Sequence, residues 1–257
     1  MPQAIDLNSD LGEAFGPWRM GDDRAMLDLV TSANVACGGH AGDPETMYET
    51  LTLARERNVV VGAHPGYVDR EGFGRRLIPL TMPEIERLIA TQVGALMGVA
   101  ALAGTSVAYV KPHGALGNLA AANREVADAI VRATAAISPR LAVLAISGTE
   151  LEVAARQKGL PVYSEIFADR AYLPNGQLVP RSRAGAMIED PRQAADRLVN
   201  FLASGQMPTI DGPSIPLQAH SICVHGDSEH AVAMARVVRD ALRAKGLVLK
   251  SFLQDSR

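Results

Sequence analysis

An apolar, β-branched run that stops at a lysine, a proline, a histidine and a glycine constrains this chain most. Val107-Ala108-Tyr109-Val110 reads as a short buried strand, and Lys111-Pro112-His113-Gly114 follows without a spacer. The same shape recurs. Asn34-Val35-Ala36-Cys37 runs into Gly38-Gly39-His40, Val59-Val60-Val61-Gly62-Ala63 into His64-Pro65-Gly66, and Ser221-Ile222-Cys223-Val224 into His225-Gly226-Asp227. Four of the six histidines therefore follow the C-terminal end of a buried strand. Parallel strands deliver all such ends to one side of a sheet or barrel, where α/β proteins place their sites.

The rest of the chain supports that architecture. Strand patterns at 4–8, 32–37, 59–62, 107–110, 141–146, 161–167 and 220–224 alternate with helical ones at 22–30, 44–57, 82–103, 116–137, 149–158, 191–204 and 228–245. Asp43-Pro44 and Asp190-Pro191 are helix starts, and Thr81-Met82-Pro83-Glu84 is a capping box. Residues 176–183 read as a hairpin or excursion, 205–216 as a Pro/Gly-rich loop, and 248–252 as a small terminal strand. Seven strand-then-helix units with no dividing linker predict a single α/β domain over residues 1–257, its parallel sheet either open or closed into a barrel.

Composition removes several functions. Net charge is −3 with no basic block, which disfavours nucleic acid. No apolar run approaches 18 residues by this reading, so no membrane span is expected. Residues 1–6 lack the basic and apolar parts of a signal peptide. Cys37 and Cys223 lie in apolar runs and read as buried free thiols, which points to a reducing, cytoplasmic setting. A phosphate-binding glycine loop, a G-x-S-x-G elbow and a placed cysteine nucleophile are all missing from the sequence.

The candidate chemistry clusters at strand ends. Asp6, Asn8 and Asp10 share one face of the first strand, with Glu13 beyond, either as a polar site or as turn formers. His40, His64, His113 and His225 suit a divalent metal or acid–base work, and each alone could be a satisfied loop histidine. Lys111 either pairs with Asp10 or Glu165, or holds a substrate carboxylate or developing oxyanion. Glu165 could act as a base; Asp169 and Arg170 form either an ion pair or part of the site. Gly72-Phe73-Gly74-Arg75-Arg76 is a cationic loop able to close over an anion, or a solvated surface loop. Asp43 and Asp227 are explained by helix capping, although a helix start also favours an anion.

Asp6-Leu7-Asn8-Ser9-Asp10-Leu11-Gly12-Glu13, the stretch from Ser32 to Pro44, Gly62-Ala63-His64-Pro65-Gly66, Gly72-Phe73-Gly74-Arg75-Arg76, Lys111-Pro112-His113-Gly114-Ala115-Leu116, Phe167-Ala168-Asp169-Arg170 and Cys223-Val224-His225-Gly226-Asp227 together resemble the LamB/YcsF family, that of 5-oxoprolinase A subunits. The resemblance runs from about residue 4 to residue 252. It departs at Ser9, Gly39 and Gly117, where the family usually has cysteine, phenylalanine and tyrosine; these changes trim volume near the expected site. It implies a seven-stranded parallel β/α barrel, a distorted TIM-like fold of the glycoside hydrolase/deacetylase superfamily type. It also implies ATP-dependent opening of 5-oxoproline to L-glutamate, with partner subunits B and C. ATP would be consumed by the complex, and this chain would take the hydrolytic half.

The expected site then has Asp10, Lys111, His113 and Glu165 as catalytic groups. Asp6, Asn8, Glu13, Arg75, Arg76, Asp169, Arg170, His225 and Asp227 are expected to bind substrate. His40 and His64, with Asp10, would hold a divalent metal if one is used. A stand-alone metal-dependent amidohydrolase or deacetylase, or a non-catalytic subunit of a larger complex, are the competing readings.

Overall fold

The structure is a computed structural model and describes residues 4–227 and 230–253. Ten strands and eight helices follow one another among the described residues. Seven of the strands form the barrel: β1 (Ala4–Leu11), β2 (Ser32–Ala36), β3 (Val60–His64), β4 (Val107–Val110), β5 (Ala142–Ile146), β6 (Val162–Phe167) and β9 (Ser221–Cys223). All pair in parallel in chain order, and β9 returns to β1 through Asp6↔Ser221 and Asn8↔Cys223, which closes the sheet. The expected barrel is therefore what forms. β7 (Gln206–Met207) and β8 (Ile215–Pro216) make a small antiparallel pair inside the Pro/Gly-rich loop, and β10 (Val248–Leu249) lies beside the start of β1.

The helices surround the barrel: α1 (Asp23–Leu27), α2 (Pro44–Glu56), α3 (Met82–Leu102), α4 (Gly114–Ala122), α5 (Arg124–Ile137), α6 (Glu150–Lys158), α7 (Pro191–Ser204) and α8 (Ala231–Ala244). Their starts follow the capping signals. Asp43 and Asp190 accept backbone N–H bonds from Thr46 and Arg192, and the Thr81–Glu84 capping box opens α3. The alanine-rich stretch 116–137 is two helices instead of one. Asn123 leaves helical geometry and its side chain accepts from the Val126 N–H, capping α5. The expected start of the last helix at Ser228 lies outside the described residues.

One expectation is corrected by α3. Its 21 residues are long and apolar enough to cross a membrane by length and composition alone. In the fold, Ile85, Ile89, Val93, Leu96 and Ala100 bury one face against the barrel, as an amphipathic outer helix requires.

Side chains on β1 alternate between two environments. Ile5, Leu7 and Leu11 enter the hydrophobic layer beneath the helices. Asp6, Asn8 and Asp10 point into the barrel, which is polar and stacked in levels. At the lowest level Asp6 accepts hydrogen bonds from Thr31, Ser32 and Ser221. In the middle, Tyr109 Oη donates to Asn34 Oδ1 at 2.6 Å, and Asn34 Nδ2 donates to Asn8 Oδ1 and Asp10 Oδ1 at 2.7 and 2.8 Å. Phe252 packs on Tyr109 and Tyr163 (ring centroids 5.1 and 4.6 Å) and covers the lower end.

Candidate active site

At the upper level the strand ends meet a cavity of about 400 Å³. Its floor is built from β1, β4, β6 and β9. Lys111 Nζ lies 3.0 Å from Asp10 Oδ1, 2.9 Å from Glu165 Oε1 and 3.1 Å from Cys223 Sγ. Asn8 Oδ1 is also near at 3.3 Å, while Asn8 Nδ2 donates to Glu165 Oε1 at 2.9 Å. Lys111 is 5% exposed, so this ammonium is balanced almost wholly by protein groups.

Burial opposes charge on all three, but the pairing is unequal. His64 and Lys111 overcome burial at Asp10 and hold its carboxyl well below the usual range. Asp10, Cys223 and Glu165 overcome it at Lys111, which stays firmly protonated. Glu165 is different: burial, together with the charge of Asp10, pushes its carboxyl up even though Lys111 pulls it down.

Beside this floor stand four buried groups, Glu13, His40, His64 and His113, whose ligand atoms all lie within 4.8 Å of one another. His40 and His113 stack with centroids 3.6 Å apart, and His40 Nε2 lies 3.1 Å from Glu13 Oε1. His64 Nδ1 lies 2.7 Å from the Lys111 carbonyl and His113 Nε2 lies 2.9 Å from the Phe73 carbonyl. A carbonyl only accepts, so both outer nitrogens carry protons. The two inner nitrogens, His64 Nε2 and His113 Nδ1, then face each other at 3.0 Å. Burial, then the neighbouring imidazoles, hold His40 and His113 well below the ordinary histidine range. Burial, then Asp10 and Asp227, push Glu13 up.

Glycines let this group close up. A Cβ on Gly66 would stand 2.8 Å from His40 Nδ1, and one on Gly74 would stand 2.7 Å from His40 Cβ. The side-chain-free Gly66–Gly74 wall is what allows the imidazoles to stack.

Across the cavity, His225 Nδ1 contacts both oxygens of Asp169 at 2.9 and 2.8 Å. Burial opposes ionisation of Asp169, but His225 outweighs it and lowers the carboxyl. The wall is completed by Arg75, by Arg170, and by Leu178, Pro180 and Arg181 from the excursion after β6. That excursion is held by antiparallel bridges Arg170↔Met187 and Tyr172↔Leu178.

Of the expected residues, the cavity brings together Asp10, His64, Arg75, Lys111, His113, Glu165, Arg170 and His225. Glu13, His40 and Asp169 stand immediately behind it; Asn8 supports Glu165, and Asp227 accepts from Arg75 at 2.5 Å. Two residues stand elsewhere. Asp6 is bound by hydroxyls at the lowest level of the barrel, and Arg76 turns outward to Asp69 and Glu71. Asp169 does not pair with Arg170, because His225 occupies it. Of the expected His40, His64 and Asp10, the two histidines belong to the four-donor group with Glu13 and His113, and Asp10 adjoins it: its Oδ1 meets Lys111 and Asn34 while its Oδ2 lies 3.4 Å from His64 Nε2. Asn34, Tyr109 and Arg181 escape a reading of the sequence. The inward parity of Asn34 on β2 is the available signal; Arg181 has none, since it sits in an irregular loop. Of the three departures, Gly117 lines the cavity, Ser9 donates to the Val224 carbonyl, and Gly39 packs against Gln92.

A closed parallel barrel with acids, imidazoles and a lysine gathered at its strand ends is a deacetylase-like β/α barrel. The catalytic domain of a peptidoglycan N-acetylglucosamine deacetylase from Eubacterium rectale shares that fold alone, with a TM-score of 0.52 at 10% identity over 97% of this chain and 88% of that one. The chain belongs to the LamB/YcsF family, whose model matches residues 5–257. It is 51% identical over 252 residues to a 5-oxoprolinase A subunit of Agrobacterium fabrum, spanning 98% of this chain and 99% of that protein. It is likewise similar to the lactam utilization protein of Thermus thermophilus, with a TM-score of 0.91, 41% identity, and coverage of 96% of this chain and 99% of that one.

Proposed function

We propose that this chain is the A subunit of an ATP-dependent 5-oxoprolinase and carries the ring-opening step, from 5-oxoproline and water to L-glutamate. The observation that carries this reading is the Asp10–Lys111–Glu165 cluster on the cavity floor, in a chain so similar end to end to a 5-oxoprolinase A subunit. Two carboxyls whose surroundings drive them apart divide acid and base roles. Asp10, held ionised, accepts a proton from the attacking water. Glu165, pushed up by burial, donates one to the ring nitrogen as the amide C–N bond breaks. Lys111 fixes both carboxyls. His225, oriented by Asp169, contacts the substrate from the opposite wall.

Partner subunits B and C would supply the ATP-dependent activation, and the cytoplasm is the setting consistent with two buried free thiols.

The Glu13, His40, His64 and His113 donors fit a divalent ion such as zinc. Three imidazoles and a carboxylate are the set it takes, and the backbone carbonyls behind His64 and His113 engage their outer nitrogens, which leaves the inner ones turned toward the ion's place. A bound ion there would polarise the amide carbonyl. This cluster also favours a second reading, a metal-dependent amidohydrolase that acts without partners or ATP.

Glutamate release from 5-oxoproline decides between them. The assembled subunits with ATP should release it, the chain alone should do so negligibly, and Glu165→Gln should stop the complex. Robust ATP-independent, chelator-sensitive release by the chain alone would establish the second reading instead.

A further inference from the structure

The cavity carries four cationic side chains, and two of them are already committed. Lys111 has more acceptors around it than N–H bonds to give, and an anion arriving there would meet Asp10 and Glu165. Arg75 gives its guanidinium to Asp227.

Neither of the other two makes an ion pair with a described residue. Arg170, 4% exposed, donates through Nη2 to the Val179 carbonyl at 2.6 Å, and its buried Nε has no hydrogen-bond partner among the described residues. The adjacent acid, Asp169, is held by His225. Arg181, brought over the cavity by the excursion after β6, makes no ion pair or hydrogen bond with a described residue. Burial, then Arg181, lowers Arg170 to about 10, and the charge of Asp169 only partly offsets them. A buried cation left without a partner is unfavourable, and a ligand anion placed between the two guanidiniums would remove that penalty. Leu144, Ile146, Leu178 and Pro180 line the same cavity and offer apolar surface suited to ring carbons.

We propose that Arg170 and Arg181 seat the carboxylate of the substrate, so that the ring spans the apolar wall and its amide reaches the Asp10–Lys111–Glu165 floor. The ring orientation rests on the 5-oxoprolinase reading; the anion seat does not.

Calorimetric titration of the purified full chain tests this with four probes. They are 5-oxoproline, 2-pyrrolidinone (the lactam without a carboxylate), cyclopentanecarboxylate (the carboxylate without a lactam) and inorganic phosphate. Arg181→Gln should weaken both carboxylates by roughly tenfold to a hundredfold, the worth of a charged hydrogen bond, and leave 2-pyrrolidinone unchanged. Arg170→Lys, which keeps the charge and loses the planar fork, should act in the same direction. If that buried variant does not fold, the exposed Arg181→Gln decides alone. Unchanged carboxylate binding in Arg181→Gln overturns the proposal. So does a wild-type chain that binds neither carboxylate, or binds phosphate only. Arg181-dependent binding of cyclopentanecarboxylate without binding of 5-oxoproline upholds the anion seat, and the lactam reading is then what fails.

Discussion

His64 Nε2 and His113 Nδ1 face each other at 3.0 Å, and His64 Nε2 also lies 3.4 Å from Asp10 Oδ2. The carbonyls of Lys111 and Phe73 hold the protons on the far nitrogens. Two opposed lone pairs at that distance repel unless a proton or a cation sits between them. With Glu13 and His40 alongside, a cation is the occupant the donor set suits best.

The purified chain, dialysed against zinc and then washed, should therefore retain about one ion per chain. It should gain about 2.7 kcal/mol of stability at a hundredfold excess of ion over its dissociation constant. Elemental analysis and thermal denaturation measure both. A His64→Ala, His113→Ala double variant should lose them. Equal uptake by the variant and the parent would leave the gap to a shared proton.

Removing Lys111 should affect folding as well as turnover. Lys111→Met leaves Asp10 and Glu165 side by side in the barrel without their cation, which typically costs about 3–5 kcal/mol. The deficit should be smaller at pH 5.5 than at pH 8, because Glu165, already pushed up, takes a proton and relieves the repulsion. Urea midpoints at the two pH values check this. A deficit that does not change with pH would mean the lysine serves packing alone.

Asp6 supplies a pH dependence of the fold itself. Burial raises its carboxyl from the ordinary 3.8 to about 6, against three hydroxyl hydrogen bonds that lower it. Between those values the folded chain keeps a proton that the unfolded chain has released. Stability should thus fall as pH rises from about 4 to about 6, by a total on the order of 3 kcal/mol, and then level off. Asp6→Asn should remove that component, so its melting temperature gains on the parent with rising pH. Parallel curves for the two proteins would contradict the assignment.

Gly74 and Gly94 should respond in opposite ways to alanine. At Gly74 the backbone is left-handed (φ +62) and the new Cβ would press on His40 and His113. Gly74→Ala should destabilise the chain by at least about 1 kcal/mol and lower turnover by the assembled complex up to about a hundredfold. Gly94, on the open face of α3, has nothing within 4 Å, and Gly94→Ala should stabilise by up to about 1 kcal/mol without touching turnover. Comparable turnover in the two variants would separate the imidazole packing from catalysis.

Much of this arrangement is legible before folding, and the rest is hidden for identifiable reasons. Strand-end histidines are visible because β-branched runs and glycines mark where each strand stops. Alternation assigns Asp6, Asn8 and Asp10 to one face correctly. It says nothing of height, and two residues along a strand separate a hydroxyl-bound carboxyl at the base of the barrel from the polar levels above it. Asn34 is masked by apolar neighbours on a strand that is buried throughout. Asn123 breaks an otherwise continuous alanine-rich helix through a capping bond that composition does not reveal. The partnership of Asp169 with His225, 56 residues away, depends on β6 and β9 being neighbours in the closed sheet.

The excursion after β6 has a consequence for how such a protein can change over generations. The groups at the cavity floor rise from barrel strands, where any substitution disturbs neighbours on both sides. Arg181, Pro180 and Leu178 are lent by a surface loop tied down at only a few points. Ligand preference can drift by ordinary loop variation, including insertions, while the buried polar groups of the floor are inherited unchanged.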